Sequence, residues 1–232
     1  MAGFRFPILL RIVALVLGLL LGLEVLLAAR IWQLRENDPE SSAFMAARLT
    51  ELHESRPQAE LEFRWVPYDA ISPALKRAVV AAEDSKFVMH GGFDWEGIQK
   101  AFEKNLDHGE IVAGGSTISQ QLAKNLFLSG ERSLLRKGQE VALTLTLEAV
   151  LSKRRILEIY LNVIEWGEGV FGAEAAARHY FGVSAANLTP WQATRLAAIV
   201  PRPRFYDRNG WTPWVEQRAL TLLDHTPHVR LP

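Results

Sequence analysis

A long apolar run near the N-terminus constrains the fold of this chain more than any other feature. Residues 6–29 read FPILLRIVALVLGLLLGLEVLLAA, interrupted by two charged side chains, Arg11 and Glu24. About 18 residues of this run form a helix of roughly 27 Å, close to the thickness of a bilayer core. Both charges lie near an end of the run, where side chains can reach the lipid head groups. The sequence therefore predicts a transmembrane helix over residues 6–29.

A cleaved signal peptide is the alternative to a permanent anchor. Signal peptides have a shorter apolar region that is followed by a small-x-small cleavage site. The segment Ala28-Ala29-Arg30 is a poor site of this kind, which favours an anchor that stays attached. Arginines flank the run on both sides, so charge alone gives little information about its orientation.

Composition narrows the possible functions. Lys and Arg together number 26, as do Asp and Glu, so net charge gives no sign of a nucleic-acid partner. The chain has no cysteine, which excludes disulfides, zinc–thiolate sites and cysteine nucleophiles. A length of 232 residues suits one sizeable domain with an appendage.

Helix signals dominate the chain after the apolar run, so the predicted fold class is mainly α. Thr117 and Gln120 have the spacing of a capping box. Alternating apolar residues predict a short strand near residues 60–66. Apolar residues at helical spacing follow several candidate N-cap residues: Ser72, Asp94, Ser133 and Ser152.

Four segments follow from these patterns. Residues 6–29 form the anchor, residues 30–58 a linker and an amphipathic helix, and residues 59–205 the main domain. Residues 206–232 form a C-terminal tail. The chain from Arg202 onward is rich in Pro, Arg and Trp, and we expect it to be irregular.

The stretch AVVAAEDSKFVMHGGFD, residues 78–94, ends an apolar helix face in two adjacent carboxylates, Glu83 and Asp84. Apolar neighbours and the negative end of the helix dipole both raise the pKa of Glu83. A carboxylate tuned in this way suits a general base near neutral pH. A solvated helix end is the alternative, and the residues alone favour neither. We expect His90 to be a hydrogen-bonding neighbour and predict no metal site.

The stretch GGSTISQQLAKN, residues 114–125, places a helix start after two glycines. Free N–H groups at a helix start favour anions. Helical spacing predicts one polar strip that could hold a sugar or a phosphate, formed by Gln120, Gln121, Lys124 and Asn125. An ordinary amphipathic helix with a good cap is the alternative.

Positive charge is concentrated between residues 124 and 155, where seven bases outnumber three acids. This cluster favours a phosphate or pyrophosphate ligand. Solvated helix faces with pairs such as Arg136–Glu140 are the alternative. Glu140 is then either structural or a second acid in the same cleft.

One motif is a false lead. Residues 167–172, GEGVFG, match the G-x-G-x-x-G dinucleotide pattern. That pattern needs a preceding strand and a βαβ frame, whereas here a helix is predicted before it. A tight loop between two helices is the preferred interpretation.

Four motifs in this order resemble the signatures of family 51 glycosyltransferases, the peptidoglycan glycosyltransferases that polymerise lipid II. They are EDSKFVMHGGFD, GGSTISQQLAKN, RKGQEVALTLTLEAVLSKRRILEIYLN and GEGVFGAEAAARHYFG. The likeness runs from about Trp65 to Pro203 and looks like the monofunctional biosynthetic form. There is no S-x-x-K or K-T-G motif of a penicillin-binding domain. One departure is Gln192, where the family usually has Glu, which puts any charge-based role there in doubt.

The resemblance implies a lysozyme-like helical catalytic domain on the periplasmic side of the inner membrane. It implies that Glu83 is the catalytic base and that Glu140 is a second acid of the cleft. Lipid II, the growing glycan strand and the membrane are the implied partners, and other cell-wall synthesis and division proteins are further candidates. No cofactor is expected to be required, although a divalent cation such as Mg²⁺ is compatible with the reaction.

The resemblance also implies the residues that bind substrate. Lys124, Arg132 and Lys137 would hold the pyrophosphate, and Ser116, Gln120 and Gln121 would line the sugar site. The remaining residues assigned to substrate binding are Asp84, His90, Thr117, Asn125 and Arg136.

Two other function classes remain open. A lytic enzyme of lysozyme-like fold would use a buried Glu as an acid on a neutral polymer, and it would not need a basic cluster. A membrane-anchored helical scaffold would tolerate the loss of Glu83.

Overall fold

The computed structural model describes residues 5–109, 114–128 and 133–232, and its fold is mainly helical, as predicted. The helices are α1 Arg5–Gln33, α2 Ala43–Ser55, α3 Pro73–Glu83, α4 Trp95–His108, α5 Ile118–Phe127, α6 Leu134–Val150, α7 Lys153–Val163, α8 Ala173–Phe181, α9 Pro190–Ile199, α10 Pro203–Asn209 and α11 Pro213–His225. Short 3₁₀ turns cover Tyr68–Ala70, Phe87–Met89, Ala185–Asn187 and Thr226–His228. The strands are β1 Glu62–Phe63, β2 Glu165–Gly167 and β3 Val170–Phe171.

Helix starts follow the predicted caps. The Ser72 side chain accepts a hydrogen bond from the backbone N–H of Ala74, and Pro73 occupies the first turn of α3. The predicted capping box of Thr117 and Gln120 is present at the start of α5. Because these caps satisfy N–H groups that the helix leaves without partners, a local sequence signal is enough to place each start.

The small sheet confirms the predicted strand near residues 60–66 and corrects the expected loop at residues 167–172. Strand β3 lies between the other two, parallel to β1 and antiparallel to β2. The glycine motif therefore belongs to a β-hairpin between α7 and α8. It is not a plain loop, and within the described part of the chain no strand follows α8 to complete a dinucleotide-binding βαβ unit.

Gly172, which precedes α8, has a backbone conformation that suits glycine. Its φ is +85° and its ψ is 156°, and a Cβ atom there would lie 2.7 Å from the backbone oxygen of Asn162. We expect Gly172→Ala to lower the free energy of unfolding by about 1–3 kcal/mol, measured by urea denaturation. Gly182→Ala is the control, since Gly182 also has a positive φ but has open space around it. An equal loss in both variants would exclude the contact with Asn162 as the cause.

The C-terminal tail is helical, so the expectation of an irregular tail is wrong. Thr212 caps α11, and Pro213 occupies its first turn. Val215, Ala219 and Leu222 form a buried stripe on this helix, which packs against α9 and α3. The burial of this stripe outweighs the high Pro, Arg and Trp content of the segment. The tail therefore forms part of the wall around the end of α3.

Helix α1 contains a stretch of 24 residues, Leu10–Gln33, with a mean hydropathy of 2.7, which is long and apolar enough to cross a membrane. Its C-terminal end is held by the rest of the fold. Ile31 is fully buried, and α1 packs against α6. The Arg155 guanidinium donates to the backbone oxygens of Leu34 (2.7 Å) and Asn37 (2.8 Å). The start of the predicted linker is therefore attached to α7.

Gln192 has a structural role at the exposed start of α9. Its Oε1 accepts a hydrogen bond from the backbone N–H of Thr189 (3.0 Å), which completes a capping box. A glutamate carboxylate could accept the same bond, so the departure from the usual residue leaves the cap intact.

Candidate active site

Glu83 is the last residue of α3. The helix buries Leu75, Ala78 and Val79 in the core, so its C-terminal end emerges from an apolar environment. Asp84 forms the C-cap, and its backbone N–H bonds to the oxygen of Val80. The predicted position of Glu83, at the end of an apolar helix face, is confirmed.

A cleft runs past Glu83. Its central cavity, of about 720 Å³, contains Glu83, Ser116 and Gln121. A second cavity, of about 700 Å³, shares Gln121, Pro201 and Arg202 with the first. A smaller cavity of about 180 Å³ also shares Glu83 and Ser116 with the first. The three cavities therefore adjoin one another, and Glu83 lines both the central and the smaller one.

The environment of Glu83 acts on its pKa in two directions. Burial is the main effect and raises the pKa. A hydrogen bond from Gln121 Nε2 to Glu83 Oε2 (2.8 Å) opposes it, as do the positive charges of Arg218 and Lys124. The net pKa lies above the ordinary value of a glutamate. A buried carboxylate of this kind can accept a proton near neutral pH.

Asp84, His90 and Thr117, which are predicted substrate ligands, hold the site together in this structure. The Asp84 side chain is 2% exposed. Its Oδ1 lies 2.9 Å from His90 Nε2, and its Oδ2 accepts from the backbone N–H of Ile118 at 3.0 Å. Thr117 Oγ1 donates to the backbone oxygen of Gly92 (2.6 Å). These bonds join the end of α3 to the start of α5, which leaves the three side chains little capacity to bind a substrate directly.

The predicted polar strip on α5 is correct except for Gln120. The Gln120 side chain is buried, and its Oε1 accepts from the backbone N–H of Thr117 at 3.1 Å. Gln121, Lys124 and Asn125 line the second cavity, and Ser116 lines the central one. Because the Gln120 side chain bonds to the backbone at the helix start, it points away from the cleft. Its neighbour Gln121 instead bonds to Glu83.

The positively charged residues between 124 and 155 do not form one continuous cluster among the described residues. Arg132 lies outside the described residues. Lys153 pairs with Glu148 (2.7 Å) and Arg154 with Asp69 (2.6 Å). Together with Arg155, which holds the end of α1, they have structural partners. The C-terminal part of the cluster therefore forms structural ion pairs and is not gathered at a phosphate site.

Glu140 and Lys137 form an ion pair on α6. Glu140 is buried, whereas the Lys137 side chain is 52% exposed. The expected Arg136–Glu140 pair is therefore replaced by one between residues three positions apart. Among the described residues, none from α6 lines the three cavities, so the cavities do not bring Arg136, Lys137 or Glu140 to Glu83.

The C-terminal residues of the site were missed by sequence reasoning. Arg202, Tyr206, Trp214 and Arg218 line the central cavity. The Arg218 guanidinium lies 5.5 Å from the Trp214 ring centroid. The dipeptide Thr212-Pro213 is a helix-start signal that would have predicted α11, but nothing local indicates that this helix faces α3.

Tyr160 and the pair Arg48–Glu165 were also missed. Tyr160 is fully buried, and its hydroxyl donates to Gln121 Oε1 at 2.9 Å. Arg48, on α2, donates to both carboxylate oxygens of Glu165, on β2, at 2.6 and 3.0 Å. Both contacts join residues far apart in the sequence, which periodicity and spacing do not reveal.

The described residues contain no cluster of three or more His, Asp or Glu side chains that could hold a metal ion. The acids nearest the cleft are engaged within the protein. Gln121 donates to Glu83, both oxygens of Asp84 contact protein donors, and Lys137 pairs with Glu140. These residues do not fit a resident divalent cation.

Comparisons with known proteins give the family of this chain. The sequence model of the family described as Transglycosylase matches residues 49–226. A biosynthetic peptidoglycan transglycosylase of Nitrosospira multiformis is 60% identical over 84% of this chain and 85% of its own length. One of Chromobacterium violaceum is 52% identical over 97% of this chain and 99% of its own. The lysozyme-like helical fold predicted from the sequence is that of this family. The chain therefore belongs to the transglycosylase family.

Proposed function

We propose that this protein is a peptidoglycan glycosyltransferase that polymerises lipid II into β-1,4-linked glycan strands for the cell wall. The observation that carries the proposal is the half-buried carboxylate of Glu83, with its raised pKa, in a cleft that is also lined by positive side chains. Adjoining cavities of about 720 and 180 Å³ both contain Glu83, which leaves space next to this carboxylate for the reacting sugars. The names and close similarity of the relatives support the same activity.

The proposed reaction is one inverting displacement. Glu83 takes the proton from the 4-hydroxyl of the GlcNAc of the acceptor lipid II. The freed oxygen attacks the anomeric carbon of the donor MurNAc as the bond to polyprenyl pyrophosphate breaks. The α-linkage to phosphate becomes a β-1,4 bond, and the leaving pyrophosphate carries the negative charge away. Ser116, Gln121 and Asn125 are proposed to contact the sugars.

Positive side chains stabilise the departing pyrophosphate in this proposal. Lys124 lines the second cavity, and Arg132 and Lys137 are assigned the same role from their motif positions. A fixed charge aimed at a developing negative charge lowers the barrier because it needs no reorganisation during the reaction. Glu140 is proposed to orient Lys137 through their ion pair. No resident cofactor is required, and a divalent cation such as Mg²⁺ would arrive with the pyrophosphate of the substrate.

The proposed location is the inner membrane, with α1 as a single-pass anchor and the catalytic domain in the periplasm. An apolar helix of this length suits the thickness of a bilayer. A substrate with a long lipid chain is then confined to the same surface as the enzyme. Other cell-wall synthesis and division proteins are proposed as further partners.

Incubation of the purified full-length chain with lipid II tests the function. We expect long glycan polymer and released polyprenyl pyrophosphate. Glycan fragments from added polymer would indicate a lytic enzyme. Neither product, from a protein shown to be folded by circular dichroism, would indicate a scaffold.

Lys137→Ala tests the pyrophosphate assignment. Loss of one such electrostatic contact costs on the order of 3 kcal/mol, so we expect kcat for lipid II to fall about a hundredfold. Arg178→Ala is a matched control, because Arg178 is 53% exposed and pairs with the buried Glu174 in the same way that Lys137 pairs with Glu140. A folded Lys137→Ala protein with nearly normal turnover would remove Lys137 from the site.

A further inference from the structure

Three side chains from three helices form a hydrogen-bonded line that ends on the proposed base. The Tyr160 hydroxyl donates to Gln121 Oε1 at 2.9 Å, and Gln121 Nε2 donates to Glu83 Oε2 at 2.8 Å. We propose that Tyr160 is a positioning residue that fixes the orientation of the Gln121 amide and so sets the pH range in which Glu83 acts. This inference rests on the proposed function for its kinetic consequence.

The amide of Gln121 has two chemically different ends, and only one orientation suits a carboxylate. With Nε2 toward Glu83, an N–H group meets a negative charge, which is a strong charge-assisted hydrogen bond. With Oε1 toward Glu83, two acceptors face each other unless Glu83 is protonated. The orientation of Gln121 and the protonation of Glu83 are therefore coupled.

Tyr160 selects the first of these orientations. Its side chain is fully buried, and Gln121 Oε1 is the acceptor that the structure gives its hydroxyl within the described residues. A flipped amide would present N–H to this oxygen and leave a buried O–H donor without an acceptor, which is costly. The flipped orientation of the Gln121 amide is therefore unfavourable in free energy at both Glu83 and Tyr160.

Tyr160 keeps its proton over the working range of the enzyme. Burial raises the pKa of its hydroxyl well above the usual value, and the negative charges of Glu83 and Asp84 act in the same direction. The hydroxyl therefore stays a donor while Glu83 titrates.

The other groups that face Glu83 act through space. Arg218 on α11 and Lys124 on α5 favour its carboxylate form, whereas Asp84 at the end of α3 disfavours it. Arg202 lines the same cavity. The hydrogen bond from Gln121 lowers the pKa of Glu83 more than either Arg218 or Lys124 does singly, so the orientation of this amide matters for the pKa of Glu83.

Tyr160→Phe tests the proposal through the pH dependence of kcat/KM for lipid II. The base works when deprotonated, so the rate rises with pH through the pKa of Glu83. Phenylalanine releases the amide, weakens the bond that favours the carboxylate, and should move the acidic limb upward by on the order of one pH unit. Gln121→Leu removes the donor altogether and should move the limb in the same direction by at least as much.

The double variant decides whether Tyr160 acts through Gln121. Adding Tyr160→Phe to Gln121→Leu should produce no further shift, whereas additive shifts would overturn the proposal. Tyr180→Phe is the control, since the half-buried Tyr180 hydroxyl also donates to protein acceptors, the backbone oxygen of Trp166 at 2.8 Å and Asp207, but makes no bond to Gln121 or Glu83. It should leave the acidic limb in place. If Tyr160→Phe lowered the rate without shifting the acidic limb of the pH–rate profile, Tyr160 would have only a packing role.

A direct titration separates this inference from the proposed reaction. The infrared carboxyl band of Glu83, assigned by its loss in Glu83→Gln, can be followed against pH without any substrate. We expect it to titrate at higher pH in Tyr160→Phe than in the wild type. A shifted band in a protein that does not polymerise lipid II would refute the reaction and support the positioning role, and an unshifted band would refute the positioning role alone.

Discussion

Glu83→Gln should nearly abolish polymerisation of lipid II while substrate binding survives. Glutamine keeps the size of the side chain and can still bond to Gln121, but it cannot accept a proton. Loss of a general base typically costs ~10²–10⁴-fold in rate. The measurement is lipid II consumption by the folded full-length protein, with binding followed separately. The acidic limb of the pH–rate profile should also disappear from any residual activity, because the raised pKa of this carboxyl is its source.

Glu148→Gln is the control for loss of a buried carboxylate as such. Glu148 is also a largely buried acid, but it accepts bonds from Ser119 and Lys153 and does not line the three cavities. Asp84→Asn should reduce activity less than Glu83→Gln. Its main effect should be to weaken the hydrogen bonds that connect the end of α3 to the start of α5. If Glu83→Gln kept more than about a tenth of the wild-type rate, Glu83 would not be the base.

Arg48→Ala should lower the free energy of unfolding by about 3–5 kcal/mol, because it leaves Glu165 as an uncompensated buried charge. The two side chains are 8% and 7% exposed, and the guanidinium meets both carboxylate oxygens. Urea denaturation of the detergent-solubilised chain measures the loss. This large value follows from burial, since an exposed pair contributes at most about 1 kcal/mol.

Two variants make the Arg48 prediction specific. Arg56→Ala removes an exposed partner of Glu168 and should have little effect. Replacing both buried partners, as Arg48→Met with Glu165→Leu, should recover most of the stability, since apolar residues of similar volume need no charge compensation. If the double variant were as unstable as Arg48→Ala, the ion pair itself would contribute to the free energy of unfolding, beyond each side chain compensating the charge of the other.

Local signals predicted the helix starts and the position of Glu83 correctly. Ser72, Thr117 and Ser152 cap their helices through bonds within three residues, so the sequence around each is sufficient. The same reasoning placed Gln121 and Asn125 on one face of α5. It could not tell which side chain of the strip would be buried, so it placed both Gln120 and Gln121 in the cleft, whereas of these two only Gln121 lines it.

Contacts between distant residues could not be predicted in this way. Tyr160 meets Gln121 across 39 positions, and Arg48 meets Glu165 across 117. The tail was misjudged for a related reason. Its Pro and Trp content suggested an irregular chain, whereas the packing of α11 against α3 and α9 supplied the stability that composition does not show.

The attachment of α1 to the main domain has a mechanical consequence. Arg155 bonds to the two backbone oxygens that follow α1, to Asp38 and to Glu158, so the joint has several points of restraint and little freedom to swivel. With α1 inserted in a bilayer, the tilt of the helix and the rotation of the domain become one motion. The height of Glu83 above the lipid surface would then be fixed by the structure of the protein. We therefore expect the length of the polar spacer between the lipid and the sugar of a substrate to affect its turnover, in addition to the chemistry of the sugar itself.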